Sequence, residues 1–319
     1  MLTTRRLLLP FLAFVLASCS APLGSTEPAP QPAPVTATPI TILTTDTSPT
    51  PTLTLELLKN AEVNVAGVSA SGADVTRTVK LTDGAFTSGS DRASTDYITV
   101  NMGQQAAFGD LNGDGAQDAA IIVGAGYGGT GEFVAVVAML NQNGQPVFAG
   151  SAAIDDRPKV NSLSIQNGEI LLDAVIHGPG DPGCCAAQPV TESFRLWSGK
   201  LTLTRFTSKT PGGVERIIKI DSPAPGSQVA GPFTLNGSVS ITPFEKNLTY
   251  SVFLEGAPSP VVKSSITVNA ADAGSPGSFA LPLDFTAAGI HGNLRIEISD
   301  ISAADGNPLA LATLFVTVK

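Results

Sequence analysis

Short runs of β-prone residues, separated by turn-forming pairs, recur along most of this chain and constrain its fold more than any other feature. Four of the turn pairs are Asp83-Gly84, Asn143-Gly144, Asn167-Gly168 and Ser198-Gly199. Such pairs favour the tight turns of β-hairpins, and the runs between them have the length of strands. The sequence therefore predicts a mainly β protein with little helix.

Segment 53–208 is predicted to form the first folded domain. It begins with a short helical turn in TLELLKNAEV and continues through strand-like runs that include DYITVNM, QDAAIIVGAG and GEFVAVVAML. Hairpin spacing between most of these runs indicates a predominantly antiparallel β domain. The pattern alone leaves open whether its sheets close into a barrel or stack as a sandwich.

A second β domain is predicted at 217–319, after a short linker at 209–216. Its strand candidates are ERIIKI, FTLNGSVSI, NLTYSVFLEG, VVKSSITVNA, GSFALPLDF, NLRIEISDIS and LATLFVTVK. Short alternating strands of this number, in roughly 100 residues, favour an immunoglobulin-like β-sandwich.

Four local patterns in the second domain carry a family resemblance. They are the Ser-Pro-x-Pro-Gly-Ser turn at 222–227, the Pro-Phe-x-x-x-Gly strand at 232–237, the Phe244-Glu245 pair and the Ala-Asp-Gly turn at 304–306. With these patterns the domain resembles the immunoglobulin-like domain of bacterial spore-germination lipoproteins. The resemblance implies a surface or interaction module without catalytic residues.

The N-terminal residues 1–18 have the features of an export signal. Arg5 and Arg6 precede an apolar run that is too short to span a bilayer as a stable helix. The stretch LASC, which ends at Cys19, resembles the lipobox of bacterial lipoproteins. This resemblance implies cleavage before Cys19 and acylation of its thiol by diacylglycerol, with palmitate as a typical acyl chain. An ordinary secretory signal that happens to contain a cysteine is the alternative.

Residues 19–52 are predicted to form a disordered tether. Pro, Thr, Ala and Ser dominate this segment, and it has too few large apolar residues to offset the entropy of ordering. The protein is therefore predicted to lie in the cell envelope, outside the cytoplasm and held to the membrane by its N-terminal lipid. Its formal net charge of −9 gives no basis for binding nucleic acid.

The stretch FGDLNGDGAQDAAIIVG, at 108–124, gathers three carboxylates in a chain with few charged residues. Counting from Asp110, the side chains of Asp110, Asn112, Asp114 and Asp118 take positions one, three, five and nine, and the carbonyl of Ala116 takes position seven. Oxygens in this alternation, with a glycine at the bend, suit a calcium ion. The loop is not an EF-hand, because position twelve is Ile121 where an EF-hand has a glutamate.

This loop more closely resembles the calcium loop of integrin-type propeller repeats. The resemblance implies a calcium ion with a structural role. A propeller is not predicted, because a blade array needs several copies and the sequence has one. The alternative interpretation is a turn-rich hairpin whose carboxylates cap backbone amides without an ion.

A second loop, IHGPGDPGCCAAQ, contains His177, Cys184 and Cys185 among Pro and Gly residues. Three interpretations stay open: a disulfide between the neighbouring cysteines, a soft-metal site using His177 and the thiolates, and a tight turn with small buried thiols. The first domain as a whole resembles exported bacterial domains of unknown function that share this stretch and the Asp-Leu-Asn-Gly-Asp-Gly stretch. That resemblance implies no activity.

The sequence does not favour an enzyme. It contains no H-E-x-x-H, no G-x-S-x-G and no P-loop motif. We therefore predict a non-catalytic, lipid-anchored envelope protein with a calcium-stabilised β domain and an immunoglobulin-like module that contacts an unidentified envelope protein or glycan. The alternative is an extracytoplasmic solute- or metal-binding protein that uses the loop of His177, Cys184 and Cys185.

Overall fold

The computed structural model describes residues 51–68 and 74–319. Within these ranges the chain forms one short helix and twenty strands, so the predicted mainly β fold is confirmed. The first elements are α1 (Leu55–Lys59), β1 (Glu62–Val68), β2 (Asp74–Lys80), β3 (Ala85–Ser88), β4 (Ile98–Gly109), β5 (Asp118–Gly126), β6 (Phe133–Gln142), β7 (Gln145–Asp156), β8 (Lys159–Gln166), β9 (Glu169–Ile176), β10 (Gln188–Trp197) and β11 (Lys200–Lys209). The others are β12 (Glu215–Arg216), β13 (Ile218–Ser222), β14 (Ser227–Val229), β15 (Phe233–Val239), β16 (Asn247–Leu254), β17 (Val262–Thr267), β18 (Gly277–Leu283), β19 (Gly292–Ile301) and β20 (Pro308–Val318). Among the described residues, no helix has the length and apolar character needed to span a bilayer.

Helix α1 is the helical turn predicted from TLELLKNAEV. Thr54 caps its N-terminus, because the threonine hydroxyl accepts a hydrogen bond from the Leu57 N–H at 3.3 Å. Leu58 is fully buried and packs in the core beneath the helix. Asn60 leaves the helical conformation directly after Lys59, so the element ends after little more than one turn.

Strands β3 to β7 form a five-stranded antiparallel sheet in sequential order, as the hairpin spacing predicts. Strand β5 lies at its centre and is buried along almost its whole length. Alternate side chains of a strand point to opposite faces. Ile121 and Val123 accordingly pack in a core with α1 and the β1–β2 hairpin, whereas Ala120 and Ile122 pack in a second core with strands β9 to β11. The layers stack, which is the sandwich arrangement.

The second large sheet runs through both predicted domains. Its strand order is β17-β16-β19-β20-β11-β10-β9-β8, with β12 paired to β11 and β14 paired to β20. Strand β20 joins β11 through the antiparallel pairs Arg205–Ala312, Phe206–Leu311 and Thr207–Ala310. The two predicted domains therefore share one hydrogen-bonded sheet.

The segment 209–216, which the sequence suggested as a linker, is not free chain. It turns back on itself, and β12 pairs with the end of β11. The described residues all belong to a single compact unit. After β12 the chain enters β13 of the three-stranded sheet, and the assignment of 209–216 as a linker stays a prediction. The outer limits of the two domains stay a prediction.

From position 217 onward the chain forms the predicted immunoglobulin-like sandwich. The sheet β13-β15-β18 faces the β17-β16-β19-β20 part of the large sheet, and buried side chains such as Leu235 and Ile296 fill the space between them. Packing requires a glycine at position 237 of β15, because a Cβ at that position would collide with the Phe279 ring and with the backbone of β13. This accounts for the glycine of the Pro-Phe-x-x-x-Gly pattern.

A cluster of arginine and aromatic side chains covers the junction between the two sandwiches. The Arg295 guanidinium lies 3.8 Å from the ring centroid of Phe253 and 5.4 Å from that of Trp197. Trp197 contacts Phe315 at a centroid distance of 6.2 Å, and the Arg195 guanidinium lies 5.6 Å from the same phenylalanine ring. Because β10 supplies two of these side chains and β16, β19 and β20 supply the others, the cluster stabilises the junction.

Candidate functional site

The aspartate loop, residues 110–117, connects β4 to β5 and is closed by its first carboxylate. Asp110 Oδ1 accepts a hydrogen bond from the Gly113 N–H at 2.6 Å, and Asp110 Oδ2 accepts one from the Gly115 N–H at 2.9 Å. Both glycines have a φ of 81°, a conformation that residues with a side chain rarely adopt. The Gly115 and Gly113 amides hold the pKa of Asp110 below its ordinary value, because they stabilise the carboxylate.

Asn112 and Asp114, the next two predicted calcium ligands, are exposed and form hydrogen bonds with each other. Asn112 Nδ2 donates a hydrogen bond to Asp114 Oδ2 at 2.8 Å, and the Asp114 N–H donates to Asn112 Oδ1 at 3.0 Å. Asp114 Oδ1 also accepts from the Ala116 N–H at 2.7 Å. The outer part of the loop thus has the hydrogen bonds of an Asx turn.

Asp118 belongs to the start of β5 and is fully buried. Its Oδ2 accepts a hydrogen bond from the Leu111 N–H and its Oδ1 accepts one from the Asn141 N–H, both at 2.8 Å. Burial raises the pKa of Asp118, and these two amides oppose that effect. The carboxylate therefore ties the aspartate loop to the end of β6.

Calcium binding by these residues stays a prediction. In the described ranges, no group of three or more His, Cys, Asp or Glu side chains is positioned to hold a metal ion. The predicted calcium ligands also include the side-chain oxygen of Asn112 and the carbonyl of Ala116. Each carboxylate oxygen can accept more than one interaction, so the amide caps on Asp110 and Asp114 leave lone pairs for a hard cation.

The structure joins Cys184 and Cys185 in a disulfide, the first of the three interpretations. Both residues are exposed, so they are not the buried thiols of the third interpretation. The His177 ring is held elsewhere, because its Nδ1 lies 2.8 Å from Asp155 Oδ2. Among the described residues these three side chains do not form a metal-binding group, so the soft-metal interpretation has no geometric support.

Asp181 determines the shape of this cysteine loop. Its Oδ2 accepts hydrogen bonds from the Gly178 N–H at 2.8 Å and from the Ala187 N–H at 3.0 Å, which lie at the two ends of the loop. These two amides keep the pKa of Asp181 below its ordinary value, with Gly178 the larger contribution. The loop therefore keeps its position beside β10 while the disulfide stays at the surface.

The junction pocket is a cavity of about 270 Å³ between the first sandwich and the segment that leads into β20. Residues that line this pocket include Asp155, His177, Glu192, Phe206, Asp305 and Asn307. The first four lie on or next to β7, β9, β10 and β11, and the last two precede β20. Both predicted domains therefore contribute to its wall.

Asp155 orients the histidine of the pocket. Its Oδ2 accepts from the His177 backbone N–H and also lies at hydrogen-bonding distance from His177 Nδ1. A carboxylate acceptor at Nδ1 places the ring hydrogen on that nitrogen, which leaves Nε2 as the free ring atom in neutral histidine. Among the described residues His177 Nε2 is buried and has no hydrogen-bond partner.

Glu192 is the second buried polar group of the pocket. Its side chain is only 5% exposed, and in the described part of the chain its Oε2 has no hydrogen-bond partner. Burial, and to a smaller extent the charge of Asp155, raises the pKa of Glu192 to about 8. At neutral pH the carboxyl group is therefore mostly protonated.

Of these pocket residues, His177 was a candidate from its sequence motif, whereas Asp155 and Glu192 were not. A local signal for Glu192 is present, because Val190, Glu192 and Phe194 alternate along β10 and all three are buried. A glutamate in an inward position of a strand is uncommon and marks a buried acid. Asp155 has no comparable signal, since it lies at the end of β7 among partly exposed residues.

The fold and the burial pattern of the second sandwich define an immunoglobulin-like module. Residues 217–307 match the family model described as the immunoglobulin-like domain of bacterial spore germination. This confirms the predicted resemblance for that part of the chain, and the match does not extend to the first domain or to the predicted lipoprotein signal. No curated protein matches the chain.

Proposed function

We propose that this protein is a non-catalytic, lipid-anchored envelope protein whose immunoglobulin-like sandwich contacts another component of the envelope. The observation that carries the proposal is the family match over 217–307 together with the two-sheet sandwich built by those residues. A module of this kind suggests interaction rather than catalysis. The shared sheet gives the module a rigid base on the first sandwich, because β11 pairs directly with β20.

The contact surface that we propose is centred on Phe244. This side chain is 92% exposed, and Ile301 beside it is 41% exposed. Both residues, with Pro243, border a cavity of about 520 Å³ on the second sandwich. Exposed apolar side chains grouped around a concavity are typical of protein interaction sites. We call Pro243, Phe244 and Ile301 the Phe244 surface.

Site-specific photocrosslinking in intact cells tests this surface. A photoreactive phenylalanine analogue at position 244 should capture a discrete membrane-associated partner. The matched control places the same analogue at position 133, where Phe133 of the first sandwich is 55% exposed. Products at position 244 that are absent at position 133 support the proposal. Identical products at both positions, or none at 244, contradict it.

The lipid anchor is proposed from the sequence, because Cys19 lies outside the described residues. The acyl chains would supply nearly all of the membrane affinity of an acidic chain. Cys19→Ala should therefore give a protein that is unprocessed or released from membranes and no longer labelled by radioactive palmitate. Ser20→Ala should behave like the unchanged protein. If Cys19→Ala is processed, labelled and membrane-bound like the unchanged protein, the chain is not a lipoprotein.

The proposed calcium ion has a structural role in the aspartate loop. An ion that binds only the folded state stabilises it by about 2.7 kcal/mol at a hundredfold excess over Kd. For a unit of this size that corresponds to a rise in Tm of roughly 5–10 °C. Calcium should raise the Tm by this amount, and a chelator should reverse the rise.

A conservative variant of Asp114 tests whether the aspartate loop holds the ion. Asp114→Asn keeps an oxygen that can accept from the Ala116 N–H but removes the negative charge. It should abolish the calcium response while the hydrogen bond from the Ala116 N–H is kept, and only the exposed bond from Asn112 Nδ2 is lost. Asp284→Asn is the matched control, because Asp284 caps the Ala287 N–H in an exposed turn of the second sandwich. If calcium raises the Tm of both variants equally, Asp114 is not a calcium ligand. If calcium does not raise the Tm of the unchanged protein, the carboxylates only cap amides.

A further inference from the structure

We propose that the junction pocket is a binding site for a small organic cation, of the class of a short primary alkylammonium ion. The proposal is independent of the lipid anchor and of the calcium ion. Its starting point is that two buried polar atoms without partners, His177 Nε2 and Glu192 Oε2, belong to residues of the same cavity. Buried polar groups normally have a hydrogen-bond partner, so two exceptions beside one cavity point to a ligand.

The acidic residues around the cavity favour a cation. Asp155, Glu192 and Asp305 all line it, and the lining residues include no lysine or arginine. Asp155 already holds the His177 ring, and the buried acceptors without a partner among the described residues of the pocket are His177 Nε2 and Glu192 Oε2. An ammonium group offers three donors and no acceptor, which complements these atoms.

The geometry favours an organic cation over a metal ion. A transition-metal site uses three or four protein ligands, and no such group is arranged among the described residues. Ile154, Ile176 and Phe206 give part of the wall an apolar surface that suits a short alkyl chain. Gln188 and Asn307 add polar lining. The volume of about 270 Å³ is just below the usual range of small-molecule pockets and accommodates a short alkylammonium ion.

Binding should be coupled to proton release from Glu192. At neutral pH its carboxyl group is mostly protonated, since burial raises the pKa of Glu192 to about 8. A bound ammonium ion favours the carboxylate, and the proton leaves to solvent. The other titratable groups that line the cavity are Asp155, His177 and Asp305. The affinity for the cation should therefore increase by up to about tenfold per pH unit below pH 8.

The two histidines of the chain provide the measurement. His177 lines the pocket, whereas His291 is exposed and its Nδ1 lies 2.7 Å from the Lys319 carbonyl oxygen. In the full chain with ¹³C-labelled histidine, propylammonium chloride should shift the His177 ring signals saturably and leave those of His291 unchanged. 1-Propanol, at the same ionic strength, should have no such effect.

Variants separate the charge of the site from its shape. Glu192→Gln should weaken propylammonium binding at least tenfold, and Glu62→Gln, which removes an exposed carboxylate on β1, should have no effect. Asp305→Asn provides a second test that does not disturb the core, because Asp305 is exposed and asparagine can still accept from the Asn307 N–H. It should weaken binding severalfold.

Each outcome decides the proposal. A saturable His177 shift that requires the ammonium group and Glu192 supports it. Equal shifts with propylammonium and 1-propanol would show an apolar cavity without cation selectivity, and this would overturn the proposal. No shift with either compound would mean that the pocket holds only water, with the same consequence. If Glu192→Gln does not fold, the response of Asp305→Asn decides, and unchanged binding there overturns the proposal.

Discussion

Replacing Glu192 with glutamine should stabilise the protein at pH 8 relative to the unchanged chain, but not at pH 4.5. Burial, reinforced by the charge of Asp155, raises the pKa of Glu192 from 4.5 to about 8. Between these values the unfolded chain releases the Glu192 proton while the folded chain retains it, so stability falls as the pH rises. Glutamine has no such proton, so the variant does not lose stability through this group.

The magnitude follows from the difference in pKa. Each unit corresponds to about 1.36 kcal/mol. The shift from 4.5 to about 8 therefore gives the variant an advantage on the order of 3–5 kcal/mol at and above pH 8. Asp118 and Asp300 are also acids whose pKa is raised by burial, but both proteins contain them and their effects cancel in the comparison.

Urea unfolding at pH 5, 6, 7 and 8 measures this difference in the free energy of unfolding. The signal is the fluorescence of Trp197, which is the single tryptophan of the chain and lies in the junction cluster. Glu62→Gln serves as the control and should follow the unchanged protein at every pH. If the difference between Glu192→Gln and the unchanged protein stays constant from pH 5 to pH 8, Glu192 is ionised in the folded state and the reasoning is refuted.

Three further perturbations have expected outcomes. In the presence of a chelator, Asp118→Ala should lower the free energy of unfolding by about 2–5 kcal/mol, because the Leu111 and Asn141 amides lose their acceptor. A urea titration in which the free energy of unfolding falls by less than about 1 kcal/mol contradicts this. Trp197→Ala should lower the free energy of unfolding by about 1–3 kcal/mol and speed the hydrogen exchange of β20 amides, because Arg295 and Phe315 lose their stacking partner. Unchanged exchange rates would mean that the junction cluster does not stabilise β20. Reduction of the Cys184–Cys185 bond should leave the Tm unchanged, because a bond between neighbours restrains almost no chain entropy. Thiol labelling and mass spectrometry verify the reduction, and a clear fall in Tm would show that the bond stabilises the fold.

The strands could largely be predicted because their signals are local. Asp83 and Asn143 have positive φ, as does the glycine that follows each of them, and such pairs end one strand and start the next whatever the rest of the fold does. The pairing of β11 with β20 could not be predicted in this way. The two strands are distant in sequence, and their register depends on packing between the sandwiches rather than on a turn.

The same distinction separates the two candidate sites. The aspartate loop is one continuous stretch, so its residue spacing alone predicts a cluster of oxygens. The junction pocket takes Asp155, His177, Glu192 and Asp305 from four separate segments. The packing of β7 against the large sheet and the pairing of β11 with β20 bring them together. A conventional scan for motifs therefore finds the first site and cannot find the second.

Leu309 shows why the two proposed binding regions belong to one junction. It lines the junction pocket, the cavity beside the Phe244 surface and a third cavity next to the cysteine loop. The Ser208 hydroxyl donates a hydrogen bond to the Leu309 carbonyl at 2.6 Å, which holds the residue where β11 meets β20. An isolated second sandwich would lack Glu192 and His177, and an isolated first sandwich would lack Asp305 and Leu309. Neither half can therefore form the pocket, and a fragment that binds propylammonium as tightly as the full chain would place the site elsewhere.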